Sequence, residues 1–250
     1  MTKLHPPSAR APRWWLAFLT GVVTLVCWGG GDHGCHGFCW AEEREAPSPS
    51  VDRHPDFKRL SPTAEVWVDL PGKRAVVGGV VALDRGPIEF FACPQQTKEH
   101  ESVIAVRSTA QLVHTSLLAV GLEPGKPVSF DPTYTQATGA RVRVLLRWQN
   151  QAGVWQESDA RDWIRDTRTG EALTTDWVFA GSAIWKDPQD GHAYYQADGG
   201  DLICVSNFPT ATLDLPIESS QSNEALLFEA FAGRVPPRGT PVDLIFSAVP

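Results

Sequence analysis

The chain has 250 residues, of which 42% are hydrophobic and 20% are charged, with 29 acidic residues against 22 basic ones. This apolar fraction is too high for a disordered protein, the 21 glycines show no collagen period, and five cysteines are too few for a scaffold held by disulfides alone. A chain of this length is expected to form one globular domain, or at most two small ones.

The N-terminus has the pattern of a secretory signal peptide. Lys3, Arg10 and Arg13 precede an apolar run at residues 14–28, and three glycines follow it. As a helix this run would span about 22 Å, which is shorter than the roughly 30 Å hydrocarbon core of a bilayer. We therefore predict a cleaved signal peptide at residues 1–41 and a periplasmic or secreted protein. The alternative is an uncleaved N-terminal anchor, which would then be the protein's contact with the membrane.

The position of cleavage decides the charge and the cysteine content of the mature chain. Cleavage fits the small-residue rule after Gly29 or Gly31, and more loosely after Ala41. Loss of residues 1–41 removes three bases and one acid, leaving 19 bases against 28 acids and a net charge of −9. So acidic a domain is not expected to bind nucleic acid. The same cut leaves two cysteines, Cys93 and Cys204.

The next two segments differ in composition. Residues 42–63 contain four prolines among serines and charges, which predicts a disordered linker. Residues 64–250 are predicted to form one globular domain, because short apolar or alternating runs recur there between Pro and Gly turns. The strands are predicted at 65–70, 75–83, 88–93, 102–106, 141–148, 177–180, 226–230 and 242–246.

One segment, near residues 108–121, has the periodicity of a helix. Ser108 and Gln111 form a capping box, and Gly121 supplies the C-terminal stop. His114 falls near the middle of the apolar stripe. The predicted fold class is therefore β-rich α+β, with an antiparallel or mixed sheet and one principal helix.

Two hairpins are also predicted. The first places Trp155 opposite Trp148 as an aromatic pair on the core side of the sheet. The second turns at Gly199–Gly200 and places Tyr195 opposite Cys204. Tryptophan can stack on sugar rings, but a place in the core already accounts for the tryptophan pair of the first hairpin.

The densest polar cluster is Lys98–Ser102, directly before a buried strand. On an extended backbone Glu99 and Glu101 point to one side, where they could bind a hard cation or act as an acid/base pair. The other interpretation is a charged strand entrance, in which these charges lie at the exposed start of the strand and form no site. His100 and His114 are further candidates, because the chain turns back between them. The catalytic candidates are thus Glu101, His100 and His114, and the metal-ligand candidates are these three with Glu99.

Cys93 and Cys204 are the cysteines predicted to remain in the mature domain. In an oxidising compartment they are predicted to form one disulfide or to stay buried as small apolar residues. Because the mature domain has no Cys-x-x-Cys motif, a redox role through this pair ranks below both.

A series of short motifs runs through the domain in a specific order: KEHES at 98–102, HTSLL at 114–118, GLEPG at 121–125, WVFAGS at 177–182, YQAD at 195–198, ICVSNF at 203–208, DLP at 214–216 and GTPV at 239–242. In this order the motifs resemble the YdjY-domain family of exported bacterial proteins. The resemblance covers nearly all of residues 64–250 and implies export, but it implies no particular reaction.

Three functional hypotheses follow. The first is an exported, non-catalytic domain that binds a small ligand or an envelope protein. The second is a metal-assisted or acid/base enzyme centred on Lys98–Ser102 and His114. The third is a thiol or metal redox role through Cys93 and Cys204. The sequence identifies no cofactor and no substrate.

Overall fold

The computed structural model describes residues 52–219 and 226–249, which belong to a compact unit spanning Ser48–Pro250. The predicted signal peptide at 1–41 lies outside the described residues. Within those two described ranges, no helix is long and apolar enough to cross a membrane.

The described chain is built mainly from strands, with one α-helix and three short 3-10 helices. The strands are β1 (Lys58–Arg59), β2 (Val66–Asp69), β3 (Arg74–Val81), β4 (Gly86–Pro87), β5 (Phe90–Pro94), β6 (Ser102–Val106), β7 (Arg141–Gln149), β8 (Trp155–Asp159), β9 (Ile164–Asp166), β10 (Trp177–Phe179), β11 (Ile184–Lys186), β12 (Ala193–Tyr195), β13 (Ile203–Cys204), β14 (Leu213–Asp214), β15 (Phe228–Ala230) and β16 (Pro241–Ala248). The helix α1 spans Ala110–Ala119, and the 3-10 helices span Glu99–Glu101, Ala160–Trp163 and Gln196–Gly199.

Eight strands close into a barrel in the order β3, β16, β7, β10, β14, β13, β5 and β6. Closure occurs because the second half of β3 pairs with β6, while its first half pairs with β2. Two of the eight pairings, β5 with β6 and β13 with β14, are parallel, and the others are antiparallel. The predicted β-rich α+β class is therefore confirmed, and the sheet is of the mixed kind.

The barrel interior is filled by side chains that the strand alternation predicts. On β7, Val142, Val144 and Leu146 are buried, and the residues between them face outward. Trp163 and Trp177 are also almost fully buried in this core. Burial of each large apolar side chain stabilises the fold by about 1.5–3 kcal/mol or more.

The helix α1 packs on β2 and β3. Val113 and Leu117 are buried on its inner face, as the apolar stripe predicts. Its N-cap is Thr109, whose hydroxyl accepts a hydrogen bond from Leu112 N at 3.2 Å. The predicted cap, Ser108, lies one residue earlier and donates its hydroxyl to the Thr109 carbonyl instead.

Replacing each of these two residues by alanine tests which of them caps the helix. Thr109→Ala is expected to lower the free energy of unfolding by about 1 kcal/mol, because it leaves a helix N–H without an acceptor. Ser108→Ala is expected to change it by no more than about 0.5 kcal/mol, as for an ordinary surface site. Urea unfolding of both variants measures the difference, and equal effects would contradict the assignment of the cap.

The first predicted hairpin exists as β7 and β8, but its register is shifted by one residue. The loop spans residues 150–154, so that Trp155 pairs with Gln149 and Trp148 pairs with Gln156. Neighbouring residues on a strand face opposite sides of the sheet. The predicted core pair is therefore wrong, and Trp155 is 51% exposed on the outside of the barrel.

The second predicted hairpin is also wrong. Gln196–Gly199 form a 3-10 helix, and the two flanking segments do not pair with each other. Tyr195 lies opposite Ile184 in the small sheet of β11 and β12, and Cys204 lies opposite Phe90.

Residues 52–63, which the composition assigned to the disordered linker, pack on the domain in this structure. The Trp67 indole N–H donates to Asp52 Oδ1 at 2.7 Å, and β1 pairs with β2. The domain therefore begins at or before residue 52. We refer to residues 52–57, which precede β1, as the N-terminal strap.

Candidate functional site

The predicted polar segment Lys98–Ser102 forms a short 3-10 helix that leads into β6. His100 Nε2 lies 3.4 Å from Glu101 Oε1, and the imidazole is largely exposed. The Glu99 carboxylate accepts a hydrogen bond from the backbone N–H of Gln96 instead. The structure thus brings His100 and Glu101 together, and it turns Glu99 back onto its own loop.

Lys98 supplies the positive charge to a group of carboxylates near the start of β5 and β6. Its Nζ lies 2.7 Å from Asp201 Oδ1 and 4.4 Å from the centre of the Phe90 ring. Glu89 is 8% exposed, and burial followed by the nearby Glu101 raises the pKa of its carboxyl. Since Lys98 offsets part of the acidic charge, this group fits the interpretation of a charged strand entrance. Across the described part of the chain, no group of three or more His, Cys, Asp or Glu side chains is placed to hold a metal ion.

His114 belongs to a different hydrogen-bond chain, on the inner side of α1. Its Nδ1 lies 2.9 Å from the Tyr195 hydroxyl, which lies 3.0 Å from Thr212 Oγ1. Burial lowers the pKa of the His114 imidazole, which favours the neutral ring. No hydrogen bond or ion pair within the described ranges joins His114 to His100 or Glu101.

The predicted disulfide between Cys93 and Cys204 is absent, and both cysteines are buried free thiols. In the register of β13 on β5, Cys204 lies opposite Phe90, three residues before Cys93. Three residues of strand span about 10 Å, whereas the Cα atoms of a disulfide lie about 4.4–6.8 Å apart. Burial raises the pKa of both thiols, which disfavours the reactive thiolate.

A cavity of about 440 Å³ lies on the outside of the barrel, between the N-terminal strap and strands β7, β8 and β16. Its size is within the range of small-molecule sites, about 300–1,000 Å³. The polar and aromatic side chains that line it are Arg53, His54, Arg147, Gln149, Trp155 and Asp243.

The strap wall of the cavity is anchored on Asp243. This carboxylate is 3% exposed and forms an ion pair with Arg53, and His54 Nε2 lies 3.2 Å from its Oδ2. Opposite Asp243 on β3 stands Gly78. A side chain at Gly78 would collide with those of Glu65 and Arg53, so this glycine makes the room in which the strap crosses the sheet.

The opposite wall consists of Arg147 and Trp155. The Arg147 guanidinium carbon lies 4.5 Å from the centre of the Trp155 ring, which is the geometry of a cation–π contact. Arg147 Nε is buried and has no hydrogen-bond partner. Its ion pair with Glu157 is 3.8 Å long and involves a largely exposed carboxylate, so this pair contributes little. A buried N–H that lacks an acceptor costs about 1–3 kcal/mol. The Arg147 side chain as a whole is 40% exposed, so part of it is accessible to a ligand in the cavity.

Two guanidinium groups and one carboxylate line the cavity, from Arg53, Arg147 and Asp243. Two further carboxylates, of Glu65 and Glu157, lie just outside the lining, 3.1 Å and 3.8 Å from these arginines. The guanidinium groups that face the cavity favour an anion over a cation as the occupant.

The family model of the YdjY domain matches residues 66–247. The chain belongs to the YdjY domain family. This result confirms the resemblance seen in the order of the sequence motifs. Among curated proteins and among solved structures, no match to the chain was found.

The cavity extends beyond the matched YdjY range. Arg147, Trp155 and Asp243 lie within the matched residues, and Arg53 and His54 precede them. The strap therefore adds one wall to a site whose other walls belong to the YdjY domain.

Sequence reasoning missed this site for two reasons. The composition of the strap predicts a linker, and the predicted hairpin register places Trp155 in the core. One signal was present: the polar residues Asp52, Arg53 and His54 depart from the Ala, Pro and Ser composition of residues 46–50.

Proposed function

We propose that this YdjY domain is a non-catalytic binding module, exported to the periplasm or secreted, that holds a carboxylate-bearing ligand in the cavity of Arg147 and Trp155. The observation that carries the proposal is the weakly paired Arg147, whose Nε lacks a hydrogen-bond acceptor and whose side chain is 40% exposed beside a half-exposed indole. A guanidinium donates through a planar fork that matches the two oxygens of a carboxylate.

The other lining groups support binding rather than proton transfer. Asp243 is the carboxylate of the lining, and Arg53 and His54 hold it, so it is not free to act as a base. Trp155 offers a flat apolar face beside the charged groups. Such a combination fits a ligand that has both a carboxylate and a ring.

The proposal is tested by titrating the protein with sodium glucuronate and sodium benzoate, with glucose as the uncharged comparison. We expect a carboxylate to bind with a dissociation constant of about 1 mM or lower, and the affinity to fall as salt is added. Isothermal titration calorimetry measures the affinity directly. Absence of binding by both carboxylates would contradict the proposal.

A pair of arginine variants localises the binding. Arg147→Gln is expected to weaken carboxylate binding about tenfold or more, because the charge-assisted hydrogen bond is lost. Arg168→Gln removes the same charge from a surface arginine that pairs with Asp166 outside this cavity, and it should leave the affinity unchanged. Equal losses in the two variants would show a general effect of charge and would contradict the assigned site.

A further inference from the structure

A second cavity, of about 500 Å³, adjoins the first at the rim of the barrel. The two cavities share Gln149 and Pro241, which lie at the end of β7 and the start of β16. A ligand larger than one ring could therefore occupy both cavities as one continuous groove. Residues 149–151 and Gln156 contribute four amide side chains to the lining of its second half.

Asn150 is engaged within the loop, where its Oδ1 accepts hydrogen bonds from the backbone N–H groups of Ala152 and Val154, both at 3.0 Å. The other amides are available for a ligand. The side chains of Gln149 and Gln151 make no hydrogen bond with the described part of the protein, and Gln156 donates to the backbone carbonyl of Trp155. A primary amide presents two donors and an acceptor, which matches the mixed donor and acceptor character of sugar hydroxyls. A pyranose ring is polar at its edge and apolar on its face. The amides of the groove complement the edge, and the exposed face of Trp155 complements the face.

The positive charge continues into the second cavity. Arg234 lines it, and its guanidinium lies 3.8 Å from the centre of the Phe231 ring. Arg234 has no ion pair with any described residue, and no acidic residue lines the second cavity. The lining of the two cavities contains three arginines, Arg53, Arg147 and Arg234, and one carboxylate, Asp243. The groove thus presents unpaired or weakly paired guanidinium groups in both halves.

We propose that the two cavities form one groove for an acidic oligosaccharide, in which carboxylates on different sugar rings meet Arg147 and Arg234. This inference rests on the proposed function, because the first carboxylate occupies the site described above. An acidic peptide would depend on a backbone ladder for much of its affinity, whereas this lining offers amide side chains, an indole face and guanidinium groups.

Calorimetric titration with galacturonate and with tetragalacturonate tests the groove. We expect the tetramer to bind at least about tenfold more tightly than the monomer, because a second contact is made once the first has formed. Cellotetraose has neutral rings and should bind more weakly than tetragalacturonate. Tetraglutamate has the charges without the rings, and it should also bind more weakly.

Three variants separate the two halves of the groove. Arg234→Gln should reduce tetramer affinity about tenfold and leave monomer affinity unchanged, because the monomer occupies the first cavity. Trp155→Ala should weaken both ligands. Arg168→Gln is the control for charge and should alter neither.

The outcomes distinguish this inference from the proposed function. Equal affinities for monomer and tetramer would overturn the groove and leave the single-carboxylate site standing. Equal affinities for tetragalacturonate and tetraglutamate would overturn the choice of a sugar, and equal affinities for tetragalacturonate and cellotetraose would overturn the choice of an acid. Failure of every carboxylate to bind would overturn both proposals together.

Discussion

The Asp214→Asn variant should become more stable than the original chain as the pH rises. The difference between their free energies of unfolding should grow by about 4 kcal/mol in total. Asp214 lies on β14 and is fully buried. Its Oδ1 accepts hydrogen bonds from Asn207 Nδ2 at 3.3 Å and from Leu215 N at 2.8 Å, whereas its Oδ2 has no partner. Burial raises the pKa of this carboxyl to about 7.

The sign follows from the direction of that shift. The folded pKa of Asp214, about 7, lies above its ordinary value of 3.8, so the folded state holds the proton more tightly than the unfolded state. The contribution to stability is complete below the unfolded pKa and is lost as the pH rises through the folded pKa. Asparagine resembles the neutral acid in shape and cannot ionise, so it removes this loss.

The groups around Asp214 define how the comparison must be made. Asp201 adds to the upward shift of the pKa, and the nearby Asp214 contributes to the raised pKa of Tyr134. Elsewhere, arginine partners lower the pKa values of the Asp159 and Asp166 carboxyls. The contribution of these two groups to the stability of the fold is therefore lost as the pH falls. The difference between variant and original chain at each pH removes these other contributions from the curve.

Urea unfolding at pH 5, 6, 7 and 8 measures this difference, and about 3 kcal/mol of the change is expected within that interval. Asp56→Asn serves as the matched control, because Asp56 is exposed and has no hydrogen bond to the described residues. A difference curve for Asp214→Asn that is no steeper than that of the control would show that the buried carboxyl does not titrate in this way.

Local patterns predicted most of the barrel, because its strands are either continuous apolar runs, as in β5 and β6, or alternate between buried and exposed residues, as in β7. Strands β2, β3, β5, β6, β7, β10, β15 and β16 all overlap the predicted segments. Closure could not be predicted, because it depends on β3 pairing with two different strands along one edge. Such a pairing is a tertiary contact, which leaves no period in the sequence.

The prediction of the second hairpin was wrong because its glycine pair does not form a tight turn. Gly199–Gly200 satisfies the chemistry of a tight turn, but Gly200 has another role in this fold. It adopts a φ of +137°, and a Cβ there would lie 2.6 Å from the Lys98 side chain, which passes over it to reach Asp201. A distant lysine therefore accounts for this glycine, and its sequence neighbours do not reveal that contact.

The candidate site was less predictable than the fold, because its walls depend on two details: the length of one loop and the ion pair that holds the strap. One extra loop residue, Val154, turns Trp155 from the core side to the cavity. The strap has the composition of a linker, yet a buried carboxylate on β16 holds it in place. The first error concerns the length of a local loop, and the second concerns a contact between residues distant in sequence; hydrophobic alternation encodes neither.

The role of Asp243 in holding the strap can be measured directly. Asp243→Asn should lower the free energy of unfolding by about 2 kcal/mol, because the ion pair with Arg53 and the contact with His54 lose their charge in a nearly dry site. The effect is smaller than for a fully buried pair, because the Arg53 side chain is 32% exposed and also lies 3.1 Å from Glu65.

A double-mutant cycle of Asp243→Asn with Arg53→Gln isolates the pair, and urea unfolding of the four proteins should give a coupling of about 1 kcal/mol. Ser247→Ala, on the same strand, controls for a general weakening of β16. Hydrogen exchange adds a local reading, since amides of residues 52–57 should exchange faster in Asp243→Asn while those of β7 do not. Additive effects in the cycle, with strap protection unchanged, would mean that other contacts hold the strap. In that case the cavity wall would depend on the Asp52 bond to Trp67 rather than on Asp243.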